Sequence, residues 1–179
     1  GALIYQWVGP HNNAFLGHAV GGPGDVNLDG AADILVGSYG EDVGGNNTGQ
    51  VTLYSGADGS IIYQWNGDNP SDKLGISVDG AGDVNNDGYP DIIAGGYQAD
   101  NNGTNSGMAR VYSGADGSVL YTWYGDNAED LFGQSVSGGQ DLNGDGHDDL
   151  LVGIRHEDSF GANSGAARAF SGADGSVLW

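Results

Sequence analysis

Short apolar runs separated by glycine- and aspartate-rich turns recur along the whole chain, and nowhere do apolar residues repeat at helical spacing. The clearest runs are Ile34-Leu35-Val36, Ile92-Ile93-Ala94 and Leu150-Leu151-Val152. Each is opened by an aspartate (Asp33, Asp91, Asp149) and closed by a glycine (Gly37, Gly95, Gly153). Continuous apolar character predicts strands covered on both faces. Downstream the pattern changes to alternation, with Val51 and Leu53 on one face and Thr52 and Tyr54 on the other, which predicts a further strand. Ser55-Gly56-Ala57-Asp58-Gly59-Ser60 then predicts a hairpin whose Asp-Gly pair suits a type I′ turn, because that turn needs positive φ. Residues 60–66 supply the returning strand, and 16–22 form the strand that leads into the aspartate-rich loop. The unit therefore reads as four strands, and the chain as all-β.

The unit repeats. Asp25-Val26-Asn27-Leu28-Asp29-Gly30 returns as Asp83-Val84-Asn85-Asn86-Asp87-Gly88 and as Asp141-Leu142-Asn143-Gly144-Asp145-Gly146, 58 residues further on each time. The organisation is 1–58, 59–116 and 117–179, the last containing a third unit and the start of a fourth. A fixed register explains the 36 glycines, since flexible low-complexity chains keep no such spacing. Four antiparallel strands per unit, stacked side by side, predict three β-propeller blades rather than a β-solenoid, whose repeats are shorter and lack a hairpin. Trp7, Trp65 and Trp123, one per unit, are expected to fill the space between neighbouring blades. Closed propellers have about four to eight blades, so three make a partial one. Residues 2–8 read as a fourth strand with no blade before it, and the last fourth strand runs only to Trp179. Head-to-tail self-association would pair both open edges, closing a ring or propagating as a fibre; a segment of a longer array has the same phasing.

Charge narrows the partners. The sequence has 24 acidic and 4 basic side chains, a formal net charge of −20. Lys73, Arg110, Arg155 and Arg168 cannot form the basic footprint that nucleic acid or an anionic membrane surface requires. No apolar stretch reaches the length of a membrane-spanning helix, and no basic segment followed by an apolar core opens the sequence. Without cysteine, disulfides, thiolate metal sites and cysteine nucleophiles are all excluded.

The repeated loop carries the sharpest chemistry. In Asp-x-Asn-x-Asp-Gly-x-x-Asp, side-chain oxygens fall at loop positions one, three, five and nine, and a backbone carbonyl is offered at seven. Those are hard oxygen ligands at a spacing that wraps Ca²⁺. The first site comprises Asp25, Asn27, Asp29, Asp33 and the carbonyl of Ala31. The second comprises Asp83, Asn85, Asp87, Asp91 and the carbonyl of Tyr89, and the third Asp141, Asn143, Asp145, Asp149 and that of His147. An EF-hand would need Glu where Val36, Ala94 and Val152 stand. Ordinary Asx turns are the structural alternative.

With these residues in place, the units resemble FG-GAP repeats, the blades of the integrin α-subunit propeller and of many secreted bacterial proteins. Leu16-Gly17, Leu74-Gly75 and Phe132-Gly133 match the "FG" element, the aspartate loop follows, and Val36-Gly37 with its counterparts matches the "GAP" element. Ser38, Gly96 and Ile154 stand where Ala is usual, with no Pro after them. The resemblance implies calcium in the loop joining the first two strands of each blade, and an extracellular or cell-surface setting.

Signals for catalysis are poor, and the chain reads as non-enzymatic. His11, His18, His147 and His156 occupy four different repeat positions, so no constellation recurs, and His156-Glu157-Asp158 reads as a solvated loop. Asp42, Asp100 and Asp158, with Asn47, Asn105 and Asn163, are expected to shape turns. Variation concentrates in 38–48, 96–106 and 154–164 and in 10–15, 68–73 and 126–131. Alternating strand direction predicts that both sets share one face, opposite the calcium loops. Tyr39, Asp42, Tyr97, Asp100, Arg155 and Asp158 are expected there, facing a protein or glycan ligand. Asn46-Asn47-Thr48 and Asn102-Gly103-Thr104 match glycosylation acceptors. Three roles are compatible with this reading: a calcium-stabilised structural or adhesive module, a carbohydrate-binding propeller, and part of a polysaccharide-cleaving enzyme.

Overall fold

A computed structural model describes residues 1–159 and 161–179. Its strands are β1 (Ala19–Gly24), β2 (Asp33–Ser38), β3 (Gln50–Tyr54), β4 (Ile61–Asn66), β5 (Ser77–Gly82), β6 (Asp91–Gly96), β7 (Met108–Tyr112), β8 (Val119–Tyr124), β9 (Phe132–Gln140), β10 (Asp149–Ile154) and β11 (Ala166–Phe170). They form three antiparallel sheets in chain order, β1–β4, β5–β8 and β9–β11, and the described residues contain no helix. The second strands begin at Asp33, Asp91 and Asp149, where the sequence places them.

Four local expectations change, the first being that residues 2–8, expected as a fourth strand, join no sheet. The first strand opens at Ala19 instead of residue 16, its ladder with β2 beginning at the Ala19–Gly37 pair. The hairpin turn is not type I′, which needs positive φ at both central residues. Gly59 has φ 76° while Asp58 stays at negative φ; the Gly59 N–H donates to Ser55 O and the ladder slips between Leu53 and Tyr54. The third sheet has three strands rather than four: Val177 bridges Phe170, and Leu178 N–H donates to Ala169 O, but the ladder goes no further than Trp179.

No sheet holds a core of its own. One cluster joins Val26, Leu35, Val51 and Leu53 to Leu74, Val78, Ile92 and Met108, across the first two sheets. A second joins Val84, Ile93, Ala109 and Val111 to Phe132, Leu150, Val152 and Phe170, across the last two. Buried faces on both sides explain why β6 and β7 are wholly buried despite their polar residues. The tryptophans do what their spacing predicts. Trp65 of β4 stacks on Tyr112 of the next blade at 4.6 Å and donates its Nε1–H to Gly117 O at 2.8 Å. Trp123 repeats this against Phe170 and Gly175 O, and Trp7 against Tyr54 and Gly59 O.

The innermost strands β1, β5 and β9 lie side by side. There the "GAP" glycine of one blade meets the "FG" glycine of the next: a Cβ on Gly37 or Gly95 would overlap the carbonyl of Gly75 or Gly133. Two motif elements that are weak alone thus form one interblade contact.

Candidate metal centres and the opposite loop face

Each aspartate-rich loop joins the first strand of a blade to the second, and its shape comes from its own side chains. Asp25 accepts from the amides of Asp29 (3.0 Å) and Gly30 (2.8 Å), Asn27 Oδ1 accepts from Asp29 N–H, and Asp29 accepts from Ala31 N–H at 2.9 Å. The same bonds recur around Asp83, Asn85 and Asp87, and around Asp141, Asn143 and Asp145. Leu28, Asn86 and Gly144 take positive φ (58°, 59° and 81°), as do Gly30, Gly88 and Gly146 at the tight turn. Positions one, three and five are therefore gathered on one short stretch of backbone.

Position nine has a different task. Asp33 accepts from Val26 N–H (2.8 Å) and from Gly56 N–H (3.0 Å), tying the aspartate loop to the hairpin turn between β3 and β4. Asp91 does so with Val84 and Gly114, and Asp149 with Leu142 and Gly172. All three are buried. Burial pushes the Asp91 carboxyl up to about 6, the charges of Asp87 and Asp83 adding to the effect and the two amide bonds opposing it. Asp141 is held below the ordinary carboxylate range by its amide donors, Gly146 first.

Among the described residues no three carboxylate or imidazole groups stand close enough to make a finished metal cage, because position nine is turned toward backbone amides. The donor set still suits a hard cation. It consists of oxygens alone, and each carboxylate oxygen bonded to one amide keeps a lone pair. Positions one, three and five offer these oxygens on one short stretch, while Asp33, Asp91 and Asp149 have both carboxylate oxygens bonded to amides.

The other ends of the strands carry both variable loop sets. The loop after β2 reaches the one that follows β4: Ser71, Lys73 and Leu74 donate their amides to Asn46, Asn47 and Thr48 carbonyls. Glu129, Leu131 and Phe132 donate likewise to Thr104, Asn105 and Ser106, and His156 N–H donates to Asp130 O. Phe160, within the loop 154–164, lies outside the described residues. Asp42, Asp100, Arg155 and Asp158 are exposed on these loops, and Tyr39 and Tyr97 are half-buried. Asp42, Asp100 and Asp158 accept from the amides of Asn47, Asn105 and Asn163 at 2.7, 2.8 and 2.6 Å, and those asparagines sit at φ 52°, 52° and 55°. Turn formation accounts for all six.

Sequence reasoning missed three arrangements on this side. Lys73, the one lysine of the chain, lies 5.7 Å from the Tyr39 ring centre and 5.4 Å from that of Tyr97, across neighbouring blades. Arg110 pairs with Asp68 and Arg168 with Asp126, both 42 residues apart; that recurrence, with Thr52 and Pro10 replacing the pair in the first unit, was the available signal. Finally, His11 Nε2 meets Glu41 Oε1 at 2.9 Å.

Aspartate hairpins, meeting glycines and blade-to-blade tryptophans together specify the family. The FG-GAP repeat pattern matches residues 19–54, 74–112 and 132–170. The chain belongs to the FG-GAP repeat family. Its FG-GAP blades are similar to integrin alpha-6 of Gallus gallus, 30% identical over 147 residues that cover 72% of this chain and 12% of that protein. Integrin alpha-4 of Xenopus laevis is 26% identical over 170 residues, 88% of this chain and 16% of the relative. Integrin alpha-2 of Mus musculus is 35% identical over 92 residues, 46% of this chain and 8% of the relative. The FG-GAP chain thus spans a small part of the relatives it matches. Among its described residues no helix is long and apolar enough to cross a membrane.

Proposed function

We propose that this chain is a calcium-binding, non-enzymatic FG-GAP module with an extracellular structural or adhesive role. The observation that carries the reading is the threefold cradle: in every blade the side chains at positions one, three and five are drawn onto the loop's own amides, leaving oxygen lone pairs for a hard cation. A bound Ca²⁺ would neutralise those carboxylates. The chain's own contribution is to hold the loop against the β3–β4 turn through Asp33 and its counterparts. Elemental analysis of the purified protein should find about one calcium per repeat. Because an ion bound by the native state stabilises it by mass action, chelation should lower the melting temperature. Calcium-free protein with a melting curve indifferent to chelator would refute the metal assignment.

The partner surface is proposed on the opposite loop face, and its chemistry favours a protein over a glycan. Sugar stacking needs open aromatic faces, whereas Phe15 stacks on Tyr39 at 4.9 Å and the Tyr97 hydroxyl is already bonded to the Lys73 ammonium at 3.2 Å. Asp100→Ala would disturb the turn it caps, so Tyr97→Ala and Arg155→Ala are the cleaner probes. Both should leave calcium content unchanged and weaken adhesion to a bound partner; adhesion lost only with aspartate-loop variants would place the site on the other face.

A second copy of the chain is the further partner we propose. Leu142 and Leu151 in the last blade are 38% and 44% exposed, while the residues at the same repeat positions in the first two blades, Val26, Val84, Leu35 and Ile93, are fully covered by the next blade. Light scattering that finds a monomer at micromolar concentration would eliminate this association.

A further inference from the structure

We propose that His11 and Glu41 form a pH-operated latch that ties the loop 10–15 to the loop after β2, in the first blade alone. The inference stands whether or not that face binds a partner. His11 Nδ1 lies 2.9 Å from Asn12 O, a carbonyl that can only accept, so Nδ1 carries a hydrogen. Nε2 lies 2.9 Å from Glu41 Oε1. With Glu41 ionised, both ring nitrogens donate and the imidazole is a cation.

Glu41 cannot turn away to water. Its side chain is 8% exposed, and Oε2 has no hydrogen-bond partner. Its backbone is pinned, the N–H donating to Ser38 O at 3.0 Å and the carbonyl accepting from Gly49 N–H at 2.9 Å and Thr48 Oγ at 3.1 Å. Removing the proton from His11 would leave a buried carboxylate with no cation beside it, which strongly favours opening.

The other blades show that the fold does not need this pair. In the second, Asp72 accepts from the amides of Asp68 (3.1 Å) and Asn69 (2.8 Å) and so closes the loop; in the third, Asp130 accepts from Asn127 (2.8 Å). The first blade has lost the acceptor and one of the second blade's two donors. Ala14 replaces the accepting aspartate, and Pro10, which has no N–H, replaces Asp68. Where the first blade has His11 and Glu41, the second has Asn69 and Ala99. A bond that depends on an imidazolium thus replaces bonds from amides, which do not titrate.

The charged groups acting on the imidazole are Glu41 and Asp42, both from the loop after β2. With the Asn12 carbonyl as the largest cause, they raise His11 above its ordinary value against partial desolvation. A histidine raised in the folded state contributes stability that is fully present below the ordinary imidazole range and is lost as pH rises through the raised value. The latch is closed in mild acid and opens toward alkaline pH. Its opening would loosen the Gly40 N–H bond to Ala14 O (3.2 Å) and the stack of Phe15 on Tyr39.

The test uses the intact chain and nuclear magnetic resonance. The ring signals of His11 should titrate above the ordinary histidine range, and at lower pH in Glu41→Gln than in the parent chain. Amide-exchange protection at Gly40, corrected for intrinsic rate, should fall several-fold between mildly acidic and mildly alkaline pH. The amides of Asn69 and Asn127, which donate to aspartates, should keep theirs. Combining His11→Asn with Ala14→Asp rebuilds the third blade's single-amide closure and should make Gly40 protection independent of pH, which preserves the test if Glu41→Gln does not fold. Equal Gly40 protection across the range in the parent chain, or an undiminished fall in the double variant, would overturn the latch.

Discussion

Aspartates of the repeated loop that look equivalent in the sequence divide into two kinds by what they bond. Asp87 sits on the exposed rim and accepts from Tyr89 N–H, whereas Asp91 is buried and accepts from Val84 and Gly114. Asp87→Ala should therefore remove about one ion and destabilise the protein in calcium, with little effect in chelator. Asp91→Ala leaves two buried amides without acceptors, at roughly 1–3 kcal/mol each, and should destabilise in both conditions. Urea unfolding with and without chelator separates the two; equal effects would contradict this division. Glycine positions divide in the same way. A Cβ on Gly95 would overlap the Gly133 carbonyl and the Ser77 hydroxyl, while one on Gly22 would meet nothing. Gly95→Ala should cost about 2–4 kcal/mol by forcing two blades apart, and Gly22→Ala should be close to neutral.

Between elements, stability lies in the joints, since each fourth strand presents its aromatic residues to the following blade. Trp65→Phe keeps most of the stack on Tyr112 but removes the donor to Gly117 O, and should cost about 1 kcal/mol in chemical denaturation. The same joint carries the Arg110–Asp68 pair, whose hydrogen bond holds the Asp68 carboxyl below its ordinary range. A carboxylate depressed in the folded state contributes stability above its unfolded pKa and loses it as pH falls through the folded value. Acidification below the ordinary carboxylate range should therefore weaken this joint. The loss is modest because Asp68 is half exposed to solvent. Arg110→Met should flatten that part of the pH–stability curve; an unchanged acid limb would show that the pair is fully screened.

At the scale of the whole molecule, much was fixed by periodicity. Apolar runs after Asp33, Asp91 and Asp149, and the 58-residue spacing between them, determine an all-β array, its strand order and the place of the aspartate hairpins. This was legible because strand pattern and tight turns depend on neighbouring residues. The interblade role of the tryptophans was legible too, since a large side chain repeated once per unit must be buried against the next unit. Tertiary structure decided the rest. The type I′ expectation failed at Asp58-Gly59 because Ser55 and Ser60 pair across a four-residue loop, with Gly59 N–H on Ser55 O; Asp33 then anchors that loop through Gly56, 23 residues away. The ninth aspartate looked like one more ligand of its loop, and its second task as a brace appears only when the β3–β4 turn is folded beside it. Lys73 between two tyrosines and His11 against Glu41 have no periodic signature, because each occurs in one unit and joins residues from different loops. Repetition along the chain specifies what every blade shares; the contacts that make one blade different arise only where distant loops meet in space.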